Sequence, residues 1–207
     1  MAFHEFVKDE GGWELKENTP LFVHQYLEVN RVRLCSPARS VPFEWTVCHR
    51  KAGVVVAAQS VDGGFVLVRQ ERVPVRATLW EFPAGQIEEG GVHDWQTVLN
   101  TALRELSEES GYVPLSHAEV VPMHHFLASP GFTDEHCYQV WIKGVAQGGE
   151  GMHLDPNESI TEVRVFTWPE LQQMVASGEI RDANTLCCIA RLGALMSPDI
   201  MALKWME

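Results

Sequence analysis

The chain has 207 residues, 45% of them hydrophobic and 21% charged, enough for one substantial core and too few for two full-sized domains. A formal charge of −12 repels an extended phosphate backbone, which excludes a general binder of polymeric nucleic acid while leaving room for a small anion held through cations. Five cysteines without a C-x-x-C pair exclude a disulfide scaffold and a zinc knuckle. The opening residues MAFHEFVKDE lack the basic and apolar segments of a signal peptide, and no apolar run reaches the ~20 residues of a membrane span. A cytoplasmic protein with reduced thiols and no membrane partner is expected.

In chain order, Leu21 to Leu34 reads as one or two strands, 36–40 as a turn and Phe43 to Arg50 as a strand of period two. Residues 1–50 thus form an N-terminal β extension, with 51–207 as the main domain. Val54 to Ala58 and Phe65 to Gln70, joined through Asp62-Gly-Gly64, make the clearest hairpin, because glycine accepts the positive φ of a tight turn. Leu79 to Phe82 is a short strand running into Pro83-Ala-Gly85. A helix is predicted from Asp94 to Ser110, with Asp94 as N-cap, Gly111 as stop, and Trp95, Val98, Leu99, Ala102 and Leu106 as its apolar stripe. Strands at Val120 to Phe126 and Cys137 to Val145 flank the loop 129–135. A glycine-rich acidic link at 147–158 leads to a strand at Glu162 to Phe166. Two helices follow, one capped by Thr167 with Pro169 in its first turn and ending near Gly178, the other started by Asp182 or Asn184. The order implies a mixed α/β fold with a sheet between helices.

The chemistry concentrates on that first helix. Glu105 and Glu109 lie one turn apart with Glu108 between them at the edge of the same face. Three like charges so close are costly unless cations or basic groups compensate them, and clustered carboxylates suit Mg²⁺ better than zinc. A solvated acidic helix is the competing reading. Against it stands the loop before the helix, where Pro83-Ala84-Gly85 can present a backbone carbonyl, and Arg104, which can brace a neighbouring carboxylate.

Trp80-Glu-Phe-Pro-Ala-Gly85 with Arg104-Glu-Leu-Ser-Glu-Glu-Ser-Gly111 resembles the signature of the Nudix hydrolases. The resemblance implies an α/β/α sandwich with a mixed sheet, and Mg²⁺ or Mn²⁺ held by Glu105, Glu108, Glu109 and the carbonyl of Ala84. It further implies that Gly85 and Gly111 match the motif glycines, that Arg104 orients a carboxylate, and that Glu105 and Glu109 are catalytic. The chain departs from the pattern where Gly91 replaces a motif glutamate and where an insertion lengthens the path to Arg104; Glu88, Glu89 or Asp94 can supply the missing acid. With the metal-binding half intact, retained activity is expected over a dead site.

Phe126-Leu-Ala-Ser-Pro-Gly-Phe-Thr-Asp-Glu135, including Pro130, is similar to the loop that follows the signature in ADP-ribose pyrophosphatases. Val68-Arg-Gln-Glu-Arg72 and Gly178-Glu-Ile-Arg-Asp-Ala183 resemble further segments of that subgroup, although Glu71 stands where relatives often carry an aromatic. The subgroup implies Mg²⁺-dependent hydrolysis of ADP-ribose to AMP and ribose 5-phosphate, with another nucleoside diphosphate sugar, or a catalytically weak nucleotide-binding regulator, as alternatives. Arg69 and Arg72 are phosphate ligands on this reading, since a guanidinium makes forked contacts to phosphate. Trp45 is to stack on a base across a homodimer interface, Trp13 to supply the opposite face, and Glu135 to touch substrate. Glu158 is the first candidate for the base that activates water, with Glu162 and Asp155 as competitors.

Nine histidines contain no H-E-x-x-H, and the pairs His136-Cys137 and Cys48-His49 are expected to be unrelated neighbours rather than nucleophile and base. The run Gly148-Gly-Glu-Gly151 lacks a phosphate-loop lysine and reads as a flexible connection carrying the base toward the cleft.

Overall fold

The computed structural model describes residues 2–6, 11–88, 93–154 and 158–197. Two sheets organise them. Strands β1 (Glu14–His24), β2 (Leu27–Ser36) and β3 (Arg39–His49) form an antiparallel three-stranded sheet, so the segment read as one or two strands is two, broken by a turn after His24. The second sheet runs β10-β5-β4-β9-β8, built from β4 (Gly53–Ser60), β5 (Phe65–Arg72), β8 (Tyr112–Leu127), β9 (His136–Gln147) and β10 (Ile160–Phe166). Two short strands, β6 (Ala77–Glu81) and β7 (Ala84–Gln86), pair with β5 and β4 respectively. The sheet is mixed, because β4 lies parallel to β9 while its other pairings are antiparallel.

Alternation along β4 explains the layering. Val55 and Ala57 face a core shared with Phe65, Leu67, Trp80 and Phe82 and with helices α2 (Trp168–Ser177) and α3 (Ala183–Met196). Val54, Val56 and Ala58 face the opposite core, which contains Val66, Ile142 and, from helix α1 (Trp95–Ser110), Val98, Ala102 and Leu106. A strand buried on both faces reads as a continuous apolar run, as VVVAA does here. The result is the α/β/α sandwich expected, preceded by N-terminal strands.

The helix boundaries follow from side chains. Asp94 accepts the amide of Thr97 at the start of α1, and Gly111, at φ 71°, ends it in the left-handed conformation. Thr167 and Glu170 close a capping box on α2, with Gly178 as its stop. Of the two candidates for the start of α3, Asp182 is the cap, accepting the Thr185 amide.

The hairpin between β4 and β5 forms, closed by the bond from the Ser60 amide to the Gly64 carbonyl, but its pairing is short. β4 and β5 meet in register only at Gln59 and Phe65, beside a turn in which Gly63 sits at φ 86°. Beyond it the strands part, because β6 and β7 occupy the pairing edges. Residues 2–6 lie along the α1 side of the sheet: Phe3 packs on Trp95 and Tyr138, Phe6 stacks on His136, and His4 meets His124. Burial lowers the pKa of His124, His125 and His136, so these rings fill space as neutral groups. The bulge that aims the two neighbouring histidines of β8 places His124 at φ 66°.

Candidate active site

α1 carries the site on its inner face. Leu106 and Ala102 anchor the helix in the core, and the same packing draws Glu105 and Glu109 inward until they are 4% and 1% exposed. Both are more deeply buried than a cleft-facing carboxylate is expected to be. Burial is the main cause that raises Glu105 to about 7, with Glu158 and Glu108 adding repulsion against the opposing Arg104. Glu109 is pushed up to about 8, again chiefly by burial, although the amide of Ala84 donates to its carboxylate at 2.8 Å.

β7 brings the glycine-rich turn against these groups. A Cβ on Gly85 would sit 1.9 Å from Glu105 Oε1, so the carboxylate occupies the space that the missing side chain leaves. The chain returns to the same point after β9. The link at 147–154 is not the free connection its glycines suggested: Gly148 donates to the carbonyl of Gly111 and His153 to that of Glu108, fastening the link to the end of α1. Glu158 then joins Glu105 and Glu109, with one carboxylate oxygen from each lying within 4.8 Å of the others.

Among the described residues this trio is the one group of three acidic, histidine or cysteine side chains close enough to share an ion. Two buried carboxyls held so far above their ordinary range, with a third beside them, form an all-oxygen set suited to a hard divalent cation such as Mg²⁺. Glu108 stands outside the trio. It accepts from Arg104 at 2.7 Å, while the same guanidinium donates to Glu105 at 2.5 Å, so Arg104 does brace two carboxylates.

A consequence for stability follows. Below about pH 4.5 Glu105 and Glu109 are protonated whether the chain is folded or not. Between there and about 7 or 8 the unfolded chain ionises first, and stability is lost as pH rises. The metal-free protein is therefore expected to lose melting temperature between pH 5 and 8 and to regain it on adding Mg²⁺, measured by thermal unfolding in EDTA and after metal is restored. A profile that rises with pH, or one unmoved by Mg²⁺, contradicts this.

The other candidate residues occupy a wider rim. Arg72 forms a fork on Glu81, at 2.9 and 2.6 Å, and Glu109 and Asp182 add to the negative field that raises its pKa. Arg69 lies over the Trp80 ring and 3.7 Å from Glu162, so Glu162 faces this arginine and is not in the trio. Glu135 pairs with Arg50 at 2.9 Å. Trp45 is half-exposed and donates its indole N–H to the carbonyl of Gly131, beside Pro130. Trp13 is half-exposed just before Glu14, which pairs with Cys35, three residues along β2 from the Val32 that pairs with Trp45. Of the acids that can replace the motif glutamate, Asp94 is used as the helix cap and Glu88 pairs with Lys51, while Glu89 and Gly91 lie outside the described residues, as does Asp155.

Sequence reasoning missed two contacts. The first is Glu81, whose pairing with Arg72 depends on the β5–β6 register. The second is Ser159, whose hydroxyl donates to Glu71 at 2.7 Å beside the trio's Glu158. Cys137 is a poor nucleophile, since burial pushes its thiol up to about 12 and His136 directs Nδ1 to the carbonyl of Asp134. All five cysteines are free, and no described helix is long and apolar enough to cross a membrane.

The comparisons with known proteins agree with this geometry. Residues 49–187 match the model of the NUDIX domain. An ADP-ribose pyrophosphatase of Bacillus subtilis (strain 168) is 34% identical over 146 residues, 70% of this chain and 74% of that protein. A methanol dehydrogenase activator of Bacillus methanolicus is 30% identical over the same shares, and a putative nudix hydrolase 2 of Caenorhabditis elegans is 40% identical over 56% of each chain. The crystal structure of an ADP compounds hydrolase shares the fold at a TM-score of 0.72, with 14% identity over 92% of this chain and 97% of that one. With the family model spanning residues 49–187 and a relative 34% identical over most of both chains, the protein belongs to the Nudix family.

Proposed function

We propose that the protein hydrolyses the diphosphate bond of ADP-ribose to AMP and ribose 5-phosphate, using Mg²⁺ or Mn²⁺. The observation that carries this reading is the convergence of Glu105, Glu109 and Glu158 behind the Ala84-Gly85 turn, in a chain 34% identical to an ADP-ribose pyrophosphatase. Glu105, Glu109 and Glu158, with the carbonyl of Ala84 and with Glu108 at the rim, are the groups that hold metal. A divalent cation bound there supplies the positive charge a diphosphate needs beside these carboxylates and makes a water easier to deprotonate.

The protein's own groups do the rest. Arg104 fixes Glu105, and the Ala84 amide fixes Glu109, so two carboxylates are oriented before substrate arrives. Glu158 is less buried than these two, which suits it to take the proton of the attacking water. Arg72 is placed within the field of Glu109 and meets the phosphate as it is shared with Glu81; Arg69 extends the positive rim.

Trp45 and Trp13 recognise the base from different levels of the N-terminal sheet, so a second copy supplies the facing ring. Leu21, Phe22, Val23 and Val41 are exposed on the strands and Tyr26 on the turn between β1 and β2, apolar surface that supports a homodimer built on residues 1–50. Residues 51–207 then act as the catalytic domain.

The test is a hydrolysis panel with Mg²⁺, comparing ADP-ribose with other nucleoside diphosphate sugars. ADP-ribose is expected to give the highest kcat/KM, with AMP and ribose 5-phosphate as products. A higher value for a sugar nucleotide with another base contradicts the substrate, and binding without turnover contradicts the reaction.

A further inference from the structure

We propose that Glu71 is a positioning residue for Glu158, acting through Ser159. The inference rests on the reading of Glu158 as part of the active site.

Glu158 reaches Glu105 and Glu109 from two residues before β10, whose pairing with β5 opens with Ile160 opposite Gln70 and shifts register before Glu162. A backbone bond from the Glu71 amide to the Ser159 carbonyl, 2.9 Å long, extends the ladder by one residue. The Ser159 hydroxyl then donates to Glu71 Oε2 at 2.7 Å. Serine and glutamate therefore hold each other twice, once by backbone and once by side chain, one residue from the catalytic carboxylate. Consecutive Cα atoms are ~3.8 Å apart, so fixing Ser159 confines Glu158 to a narrow arc.

Side-chain bonds recur two residues on. Thr161 donates to the Arg69 carbonyl at 3.1 Å, and Glu162 pairs with the Arg69 guanidinium. These fasten the β5–β10 edge at its site end, whereas Val163, Val165 and Phe166 farther along rely on the backbone ladder. A hydrogen bond to a charged acceptor is stronger than one between neutral groups, which sets the Glu71 clasp above the neutral bond of Thr161. Glu71 is not a member of the metal trio, so the role assigned to it is positional.

The experiment compares kcat, KM and the Mg²⁺ concentration for half-maximal ADP-ribose turnover in wild type, Glu71→Ala, Ser159→Ala and Glu71→Gln. Glu71→Ala and Ser159→Ala are expected to lower kcat about five- to tenfold with KM for ADP-ribose within twofold, while Glu71→Gln, whose carbonyl still accepts the hydroxyl, recovers most of the loss. In a Glu158→Gln background, Glu71→Ala is expected to add less than a twofold further loss, because the group it positions is already disabled. Unchanged kcat in both single variants overturns the proposal, as does an equal loss in the presence and absence of the Glu158 carboxylate. If Glu158→Gln itself keeps wild-type turnover, the reading of Glu158 fails and the clasp falls with it, an outcome distinct from an active Glu158 that ignores Glu71. Should Glu71→Ala fold poorly, Ser159→Ala leaves the charge in place and makes the same distinction.

Discussion

Glu109→Gln is expected to lower turnover to about 1% of wild type or less while making the metal-free protein more stable at pH 8. The two effects share one cause. Partners outside a metal's immediate ligands commonly cost about 10–100-fold when removed, so losing a ligand itself is expected to cost ~100-fold or more in kcat. The carboxyl lies 1% exposed and is raised to about 8, and holding it above its ordinary 4.5 destabilises the folded chain on the order of 3 kcal/mol at pH 7. Glutamine keeps the acceptor for the Ala84 amide and removes the charge, although its own N–H groups then need partners and take back part of the gain. Thermal unfolding in EDTA reads the stability and steady-state assay reads the turnover. A variant that is both inactive and less stable in EDTA at pH 8 points to a fold defect and contradicts the account; full activity contradicts it more directly.

The second large effect is expected at Gly85→Ala. A Cβ there lies 1.9 Å from Glu105 Oε1 and 2.0 Å from its Cδ, a separation that real atoms do not tolerate. Glu105 is 4% exposed and held by Arg104, so it has little room to swing aside. Either the carboxylate leaves its place near Glu109 and Glu158 or the turn shifts away from the helix. Both outcomes disperse the metal ligands, and a loss of ~100-fold in Mg²⁺-dependent turnover is expected, with a higher Mg²⁺ requirement. Gly149→Ala is the control, because a Cβ there meets nothing within 4 Å. Wild-type turnover in Gly85→Ala contradicts the packing of Glu105 against this turn.

The elements most legible in the sequence were those with side-chain punctuation. Asp94 and Gly111 bound α1, and Thr167 with Glu170 starts α2, because a cap is a local interaction that needs no knowledge of the fold. Long-range pairing was less legible. β8 begins at Tyr112, well before the Val120 at which alternation becomes clear, and carries Pro114 and Pro122; its place at the edge of the sheet accommodates prolines that a central strand would not. β7 is three residues long, too short to show a period, and it displaces β5 from much of β4.

The site divides in the same way. Helical spacing put Glu105 and Glu109 on one face, and the resemblance to the Nudix signature made them metal candidates. Their depth was not legible, because it depends on how far Leu106 and Ala102 draw the helix into the sheet. Spacing also grouped Glu108 with them, but the i,i+4 bond from Arg104 holds that side chain at the rim. Glu158 is remote in sequence and was reached through the resemblance; the bonds of Gly148 and His153 to the end of α1, which hold the preceding link there, are tertiary contacts without a local pattern.

Glu105, Glu109 and Glu158 are the proposed metal centre of a diphosphate hydrolase. Anomalous diffraction from crystals soaked in Mn²⁺ tests it most directly. A peak is expected among these three carboxylates, coordinated by oxygen, and it should be lost in Glu109→Gln. A strong peak elsewhere with none at the trio, or an undiminished peak in the variant, would contradict it.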